Sequence, residues 1–136
     1  MPTAIKVISF DLDDTLWPGM PTILRAEKLL YQWLSENVPQ ITQQYDIYQL
    51  RDKRRELLAE NQQLAHDLTR LRIVSFEHLT TEFNLDKSWI QPAFNIFYEA
   101  RQQVRLFADV RPTLDELKQH FQLVSLTNGN ADVIKT

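Results

Sequence analysis

Cysteine is absent from the 136 residues, and glycine occurs only twice. The first absence removes disulfide scaffolds, thiolate zinc sites and cysteine nucleophiles together. The scarcity of glycine makes each one a marker of local geometry. Gly19 in "WPGMP" sits between two prolines and predicts a turn. Long apolar runs are also missing. Val7 to Phe10 is cut short by Asp11 with no small-residue cleavage site after it, so it reads as neither a signal peptide nor a membrane span. No basic excess exists either: 15 Lys and Arg against 18 Asp and Glu give a net charge of −3, mixed along the chain, with no field to attract nucleic acid or anionic lipid. The expected partner is a small molecule, and the expected compartment is the cytoplasm.

What is present suits one domain of ordinary size: 43% hydrophobic and 10% aromatic residues provide enough apolar surface for a core. "AIKVISF" is short, β-branched and nearly continuous in its apolar character, as in a parallel strand covered on both faces. From Thr22 to about Val104 the pattern turns helical, with Ile23, Ala26, Leu30, Trp33 and Leu34 on one stripe of a first helix. Three more helices are predicted, from near Asp46 to Gln63, Asp67 to Phe83 and Ser88 to Val104. A helix opened by Pro112 follows, with Leu114 and Leu117 on one side, and then a second buried-type strand from Leu123 to Leu126. The predicted fold class is α/β: two parallel strands of a partial core, residues 1–20 and 107–136, interrupted by a helical bundle over residues 21–106.

The chemistry gathers at the two strand ends, where ligands bind in open α/β sheets. "FDLDDTLW" places three carboxylates in four positions straight after the first strand. Strand alternation turns Asp11 and Asp13 the same way, and two ionised carboxylates that close repel unless a cation lies between them or one holds a proton. Magnesium suits the first solution, because it takes a carboxylate or two, keeps several waters and shares phosphate oxygens. A carboxylate can also attack phosphorus, while a second acid protonates the leaving oxygen and then activates water. At the other strand end, "TNGN" offers the Thr127 hydroxyl, the Asn128 side chain and N–H groups freed by Gly129, ahead of what reads as the first turn of a helix. An isolated Asp-x-Asp is more often a solvated strand cap, and Asn-Gly alone is an ordinary turn. It is the pairing of both motifs, across a helical insert, that points to catalysis.

These strings resemble a known family. "FDLDDTLW" is similar to the first motif of the haloacid-dehalogenase-like hydrolase superfamily, and "LVSLTNGN" is similar to its second. The longer stretches "FDLDDTLWPGMPTILRAEKLL", "HDLTRLRIVSFEHL" and "TNGNA" resemble the subfamily of flavin mononucleotide and 5-amino-6-(5-phosphoribitylamino)uracil phosphatases, whose α/β core carries a helical cap. The resemblance implies that Asp11 is the nucleophile that becomes phosphorylated and Asp13 the general acid and base. It implies magnesium held by the Asp11 carboxylate and the Asp13 backbone carbonyl, with phosphate held by Thr127 and the Asn128 N–H. Members that displace halide from carbon lack the second aspartate, so Asp13 favours phosphoester hydrolysis. The implied substrate is a small phosphorylated metabolite, flavin mononucleotide or another riboflavin-pathway phosphate, with the bundle as a lid.

The family pattern continues beyond "TNGN" with a phosphate-steadying lysine and an acidic pair for the metal. Lys135 lies too near the second motif to match that lysine. The expectation is therefore an N-terminal portion of a longer enzyme, with activity of this portion alone lowered by several decades, on the order of what losing charge-stabilising groups costs. A sheet edge left unpaired predicts self-association or a partner. The alternative reading is a non-catalytic module for binding or oligomerisation. His66, His78 and His120 lack ligand spacing and read as surface or packing residues, "RDKRRE" (Arg51 to Glu56) reads as a solvated helix face, and Trp33, Trp89, Phe94, Phe97 and Tyr98 read as bundle core.

Overall fold

The computed structural model of the protein describes residues 4–125, and within them the chain divides into two compact units. One combines Met1–Thr22 with Gln102–Thr136, and the other is Ile23–Arg101. Thr127 and Asn128 lie outside the described residues.

The first unit contains β1 (Val7–Phe10) and β2 (Gln122–Ser125), paired in parallel with Val7 opposite Gln122 and Phe10 opposite Ser125. The N–H of Gln122 extends this ladder by donating to the Lys6 carbonyl at 2.8 Å. Parallel neighbours cannot be joined by a tight hairpin, so a long crossover must separate them. The expectation that the first strand is covered on both faces is corrected here. Ile5 is 71% exposed, Val7 50% and Val124 41%, because the described sheet has two strands and its apolar faces lack the flanking layers that bury a wider parallel sheet. An eight-residue helix, Val110–Leu117, precedes β2, with Pro112 in its first turn where no N–H is required.

Helix α1 spans Gly19–Asn37, three residues earlier than Thr22, so the Pro-Gly stretch starts the helix instead of forming a turn before it. The Thr22 hydroxyl donates to the Pro18 carbonyl at 2.9 Å, binding the first turn to the residue that precedes it. The second unit continues with α2 (Pro39–Gln44), a short helix the periodicity did not indicate, then α3 (Ile47–Glu60), α4 (Leu68–Glu82) and α5 (Ile90–Arg101). The helix before β2 is α6. Aspartates set the boundaries. Asp46 accepts the Gln49 N–H while the Gln49 side chain accepts the Asp46 N–H, both at 2.8 Å, a reciprocal capping box at the start of α3. Asp67 caps α4 by accepting the Arg70 N–H, and Asp86 starts the 3-10 turn Lys87–Trp89 by accepting that of Ser88. Asn84, at φ 50°, ends α4 in the left-handed conformation, and the Leu85 N–H returns to the Thr80 carbonyl at 2.9 Å. The 3-10 turn absorbs the beginning of the predicted fourth helix, so α5 runs from Ile90 to Arg101 and not from Ser88 to Val104.

The core of this unit is Ala26, Leu30, Leu34, Val38 and Ile41 against Phe76, Leu79, Trp89, Ala93 and Phe97, with Trp33 and Phe94 at its margin. Tyr98 stacks on Phe94 with ring centroids 5.7 Å apart. Beside the core lies a charge cluster. Glu27, 5% exposed, sits on the apolar stripe of α1 between Ile23 and Leu30. Its Oε2 accepts from Arg51 Nε at 3.0 Å and Nη2 at 2.8 Å, and its Oε1 accepts from Arg54 and faces Arg72 Nη2 at 3.6 Å. The reading of "RDKRRE" as wholly solvated is corrected: Asp52, Arg55 and Glu56 are exposed, but Arg51 and Arg54 turn inward because a buried carboxylate needs partners. Burial by itself raises the Glu27 pKa, yet the charge of Arg54, the hydrogen bond from Arg51 and the charges of Arg72 and Arg51 outweigh it and hold the group below its ordinary value. Arg72, stacked 3.5 Å from the Phe97 ring centre, is pushed down to about 9 by burial and by the charge of Arg54, against the pull of Glu27. It stays protonated at neutral pH.

Glu27→Gln leaves three guanidinium groups without their shared anion and is expected to cost about 3–5 kcal/mol, read as a lower urea midpoint at pH 7. Because the folded carboxyl titrates below the free glutamate value of about 4.3, its contribution is complete above that pH and is lost as pH falls through the folded pKa. Acid unfolding curves of the parent should show this loss, and those of Glu27→Gln should lack it.

Candidate active site

β1 ends at Phe10, and the chain then makes a tight loop from Asp11 to Pro18 before α1 begins. Leu12 is 4% exposed and anchors the loop, while Asp11 is exposed and Asp13 half-buried on either side of it. The Leu12 carbonyl accepts the N–H groups of Thr15 at 3.1 Å and Leu16 at 2.9 Å, forming one helical turn. The Leu16 carbonyl in turn accepts the Phe107 N–H at 2.9 Å, which fastens the loop to the segment leading into α6. Asp13 and Trp17 form an isolated parallel bridge, and the Asp14 N–H donates to the Trp17 carbonyl at 2.6 Å.

Each of the three carboxylates accepts a different N–H. Asp11 Oδ1 takes that of Leu12 at 2.9 Å, Asp13 Oδ1 takes the indole N–H of Trp17 at 3.0 Å, and Asp14 Oδ1 takes the N–H of Gly19 at 2.9 Å. The last bond places Asp14 at the start of α1, where a carboxylate is favoured by the first-turn N–H groups. Asp14 achieves it at φ 64°, in the left-handed region that aspartate tolerates better than most residues. Gly19 packs closely here: a Cβ would stand 3.1 Å from Asp14 Oδ2 and 3.2 Å from the Asp13 Cβ, so a side chain would press both aspartates aside by a few tenths of an ångström.

The structure thus sets Asp11 and Asp13 on one short loop at the carboxyl end of β1, beside the end of β2 at Ser125, after which "TNGN" falls outside the described residues. Trp17, Asp14 and Gly19 were missed as partners of the motif. Their signal was present in the spacing, with Trp17 four residues after Asp13 and Gly19 five after Asp14, but an indole donor leaves no periodic pattern. Among the described residues, no group of three or more His, Cys, Asp or Glu side chains gathers as a metal cluster, and His66, His78 and His120 are exposed. No described helix is long and apolar enough to cross a membrane.

A strand that delivers paired aspartates into a loop, next to a parallel strand and with a helical unit in the crossover, defines a class of α/β hydrolase. The family model of the haloacid dehalogenase-like hydrolases matches residues 5–135, and the chain belongs to that family. It is 32% identical over 133 residues to the 5-amino-6-(5-phospho-D-ribitylamino)uracil phosphatase YigB of Escherichia coli strain K12, an alignment covering 93% of this chain and 55% of that protein. Among solved structures, a 2-haloacid dehalogenase from Pseudomonas syringae pv. tomato DC3000 aligns at a TM-score of 0.79 with 36% identity, over 97% of this chain and 59% of that one. The magnesium-bound HAD-hydrolase YfnB of Bacillus subtilis shares the fold at a TM-score of 0.57 and 16% identity, over 93% of this chain and 54% of that one. The chain spans a little over half the length of the relatives it matches.

Asp14→Ala removes the bond to Gly19 while keeping a side chain at positive φ, and is expected to cost about 1–2 kcal/mol. Asp14→Gly loses the same bond but relieves the backbone, so its loss should be smaller by about 1 kcal/mol. Thermal midpoints of the two variants, measured side by side, check the order.

Proposed function

We propose that this chain carries the nucleophile and the general acid–base of a magnesium-dependent phosphomonoester hydrolase. The observation that carries the reading is the pair Asp11 and Asp13 on one loop after β1, with Asp13 held by a hydrogen bond to its own loop. Asp11 attacks phosphorus and becomes an aspartyl-phosphate, while Asp13 gives its proton to the leaving oxygen. Asp13 then takes a proton from the water that releases phosphate, and returns to its starting form. Thr127 and the Asn128 N–H supply the phosphate cradle in this reading.

The donors fit a hard cation, since the Asp11 carboxylate and the Asp13 carbonyl offer only oxygen. Magnesium held by these two groups would supply positive charge against the repulsion between a phosphate and the Asp11 carboxylate. Identity to the phosphoribitylaminouracil phosphatase supports a riboflavin-pathway phosphate or flavin mononucleotide as substrate. The 36% identity to a 2-haloacid dehalogenase raises halide displacement as a second reading. Asp13 weighs against it, because a halide leaves without a proton and has no need of an acid.

The test is hydrolysis of a panel of phosphomonoesters by the full-length gene product with added magnesium, set against chloride release from a 2-haloacid. Asp11→Asn is expected to lower phosphate release at least about a thousandfold, and Asp13→Asn by about 10²–10⁴. Chelation should abolish turnover and magnesium should restore it. A protein that binds these phosphates without turnover, unaffected by Asp11→Asn, would instead be the non-catalytic module.

A further inference from the structure

The helical unit holds a charge imbalance. Glu27 is one carboxylate among the three guanidinium groups of Arg51, Arg54 and Arg72, so this cluster carries an excess of two positive charges beside the apolar core. Arg51 is well matched, with Nε and Nη2 on Oε2 at 3.0 and 2.8 Å, and Arg54 donates to Oε1. Arg72 is matched least. Its Nη2 stands 3.6 Å from the same Oε1, beyond hydrogen-bond distance, although its side chain is only 8% exposed. Stacking on Phe97, 3.5 Å from the ring centre, holds its guanidinium group in place.

A cavity of about 30 Å³ lies against these groups. Its charged lining residues are Glu27, Arg54 and Arg72, and Leu30, Leu34 and Leu50 are among the apolar ones. Tyr31 lines it too, but its hydroxyl proton is committed to the backbone carbonyls of Tyr45 at 3.0 Å and Thr42 at 3.3 Å. The side-chain donors that remain are the two guanidinium groups. The volume suits about one or two water molecules, or one monatomic anion. Water would satisfy N–H groups and leave the excess charge uncancelled, whereas an anion does both, and buried charge is tolerated where it is paired. The geometry points to a small-anion site within the helical unit: one monovalent anion of chloride size, held by the guanidinium groups of Arg54 and Arg72 inside a leucine-rich wall. Glu27 opposes it. Carboxylate and anion draw on the same guanidinium groups, so the charge of Glu27 sets how weakly the anion binds.

The test follows the thermal midpoint of the full-length gene product in rising sodium chloride, with sodium gluconate holding the ionic strength constant, and reads an apparent Kd for chloride. The midpoint is expected to rise by about 3–6 °C once chloride stands about tenfold above that Kd. Glu27→Gln removes the competing negative charge, so its chloride Kd should fall at least about tenfold even though the variant is less stable in gluconate. Arg72→Met keeps an apolar chain beside Phe97 and should lose the response. A midpoint indifferent to chloride, the same Kd in the parent and in Glu27→Gln, or an undiminished response in Arg72→Met overturns the proposal. A second measurement needs no variant to fold. Crystals of the parent soaked in sodium bromide should show an anomalous peak against the Arg54 and Arg72 guanidinium groups. A water there without anomalous signal, bromide only elsewhere, or bromide bound at crystal concentration only, with no chloride response in solution, overturns it as well.

Discussion

The motif loop is shaped by repulsion. Three carboxylates within four residues oppose one another wherever their side chains converge. The loop answers by giving each carboxylate its own N–H: backbone of Leu12 for Asp11, indole of Trp17 for Asp13, backbone of Gly19 for Asp14. The left-handed backbone at Asp14, the close packing at Gly19 and the burial of Leu12 and Trp17 accompany that distribution. Of the three, Asp14 is turned toward the start of α1. Asp11 and Asp13 stay on the loop itself, where the proposed chemistry would need them.

The helical unit solves the opposite problem. There one carboxylate, Glu27, is shared among three guanidinium groups, so the excess charge is positive and sits beside an apolar core. A buried ion cluster contributes little net stability against a well-packed apolar substitute, but it fixes which faces can meet. Arg51 and Arg54 on α3 and Arg72 on α4 can satisfy the same carboxylate on α1 in only a few arrangements of the three helices. Its effect is on register more than on total stability. Arg72 adds a second constraint by lying on the Phe97 ring of α5.

The elements that were legible in the sequence carry local chemical signals. Asp46 and Asp67 mark the starts of α3 and α4 because a side-chain carboxylate satisfies N–H groups that a helix start leaves over. The stripe through Ala26, Leu30 and Leu34 identified the buried face of α1 for the same local reason. What was not legible depends on partners distant in sequence or on unusual donors. The inward turn of Arg51 and Arg54 depends on Glu27, more than twenty positions away, though a charge on the apolar stripe at position 27 was a clue. The early start of α1 depends on Asp14 capping Gly19, and the motif's grip on Asp13 depends on an indole. The exposure of Val7 and Val124 depends on how many strands flank the pair, which no local pattern encodes.

The parallel pairing explains why an insert is tolerated between the two strands. β1 and β2 must be joined by a crossover, and once a connection is long, each doubling of its length adds only about 0.6 kcal/mol of closure entropy. A helical unit with its own core, closed by Trp89, Phe76 and Phe97, offsets its own ordering cost and adds little burden to the strand pair. The demanding part of the connection is therefore its first few residues, where the chain leaves β1, turns once around the Leu12 carbonyl and enters α1. The same short loop that separates three negative charges also launches the helical unit, so the geometry of Asp13 and the start of α1 are fixed by one set of bonds.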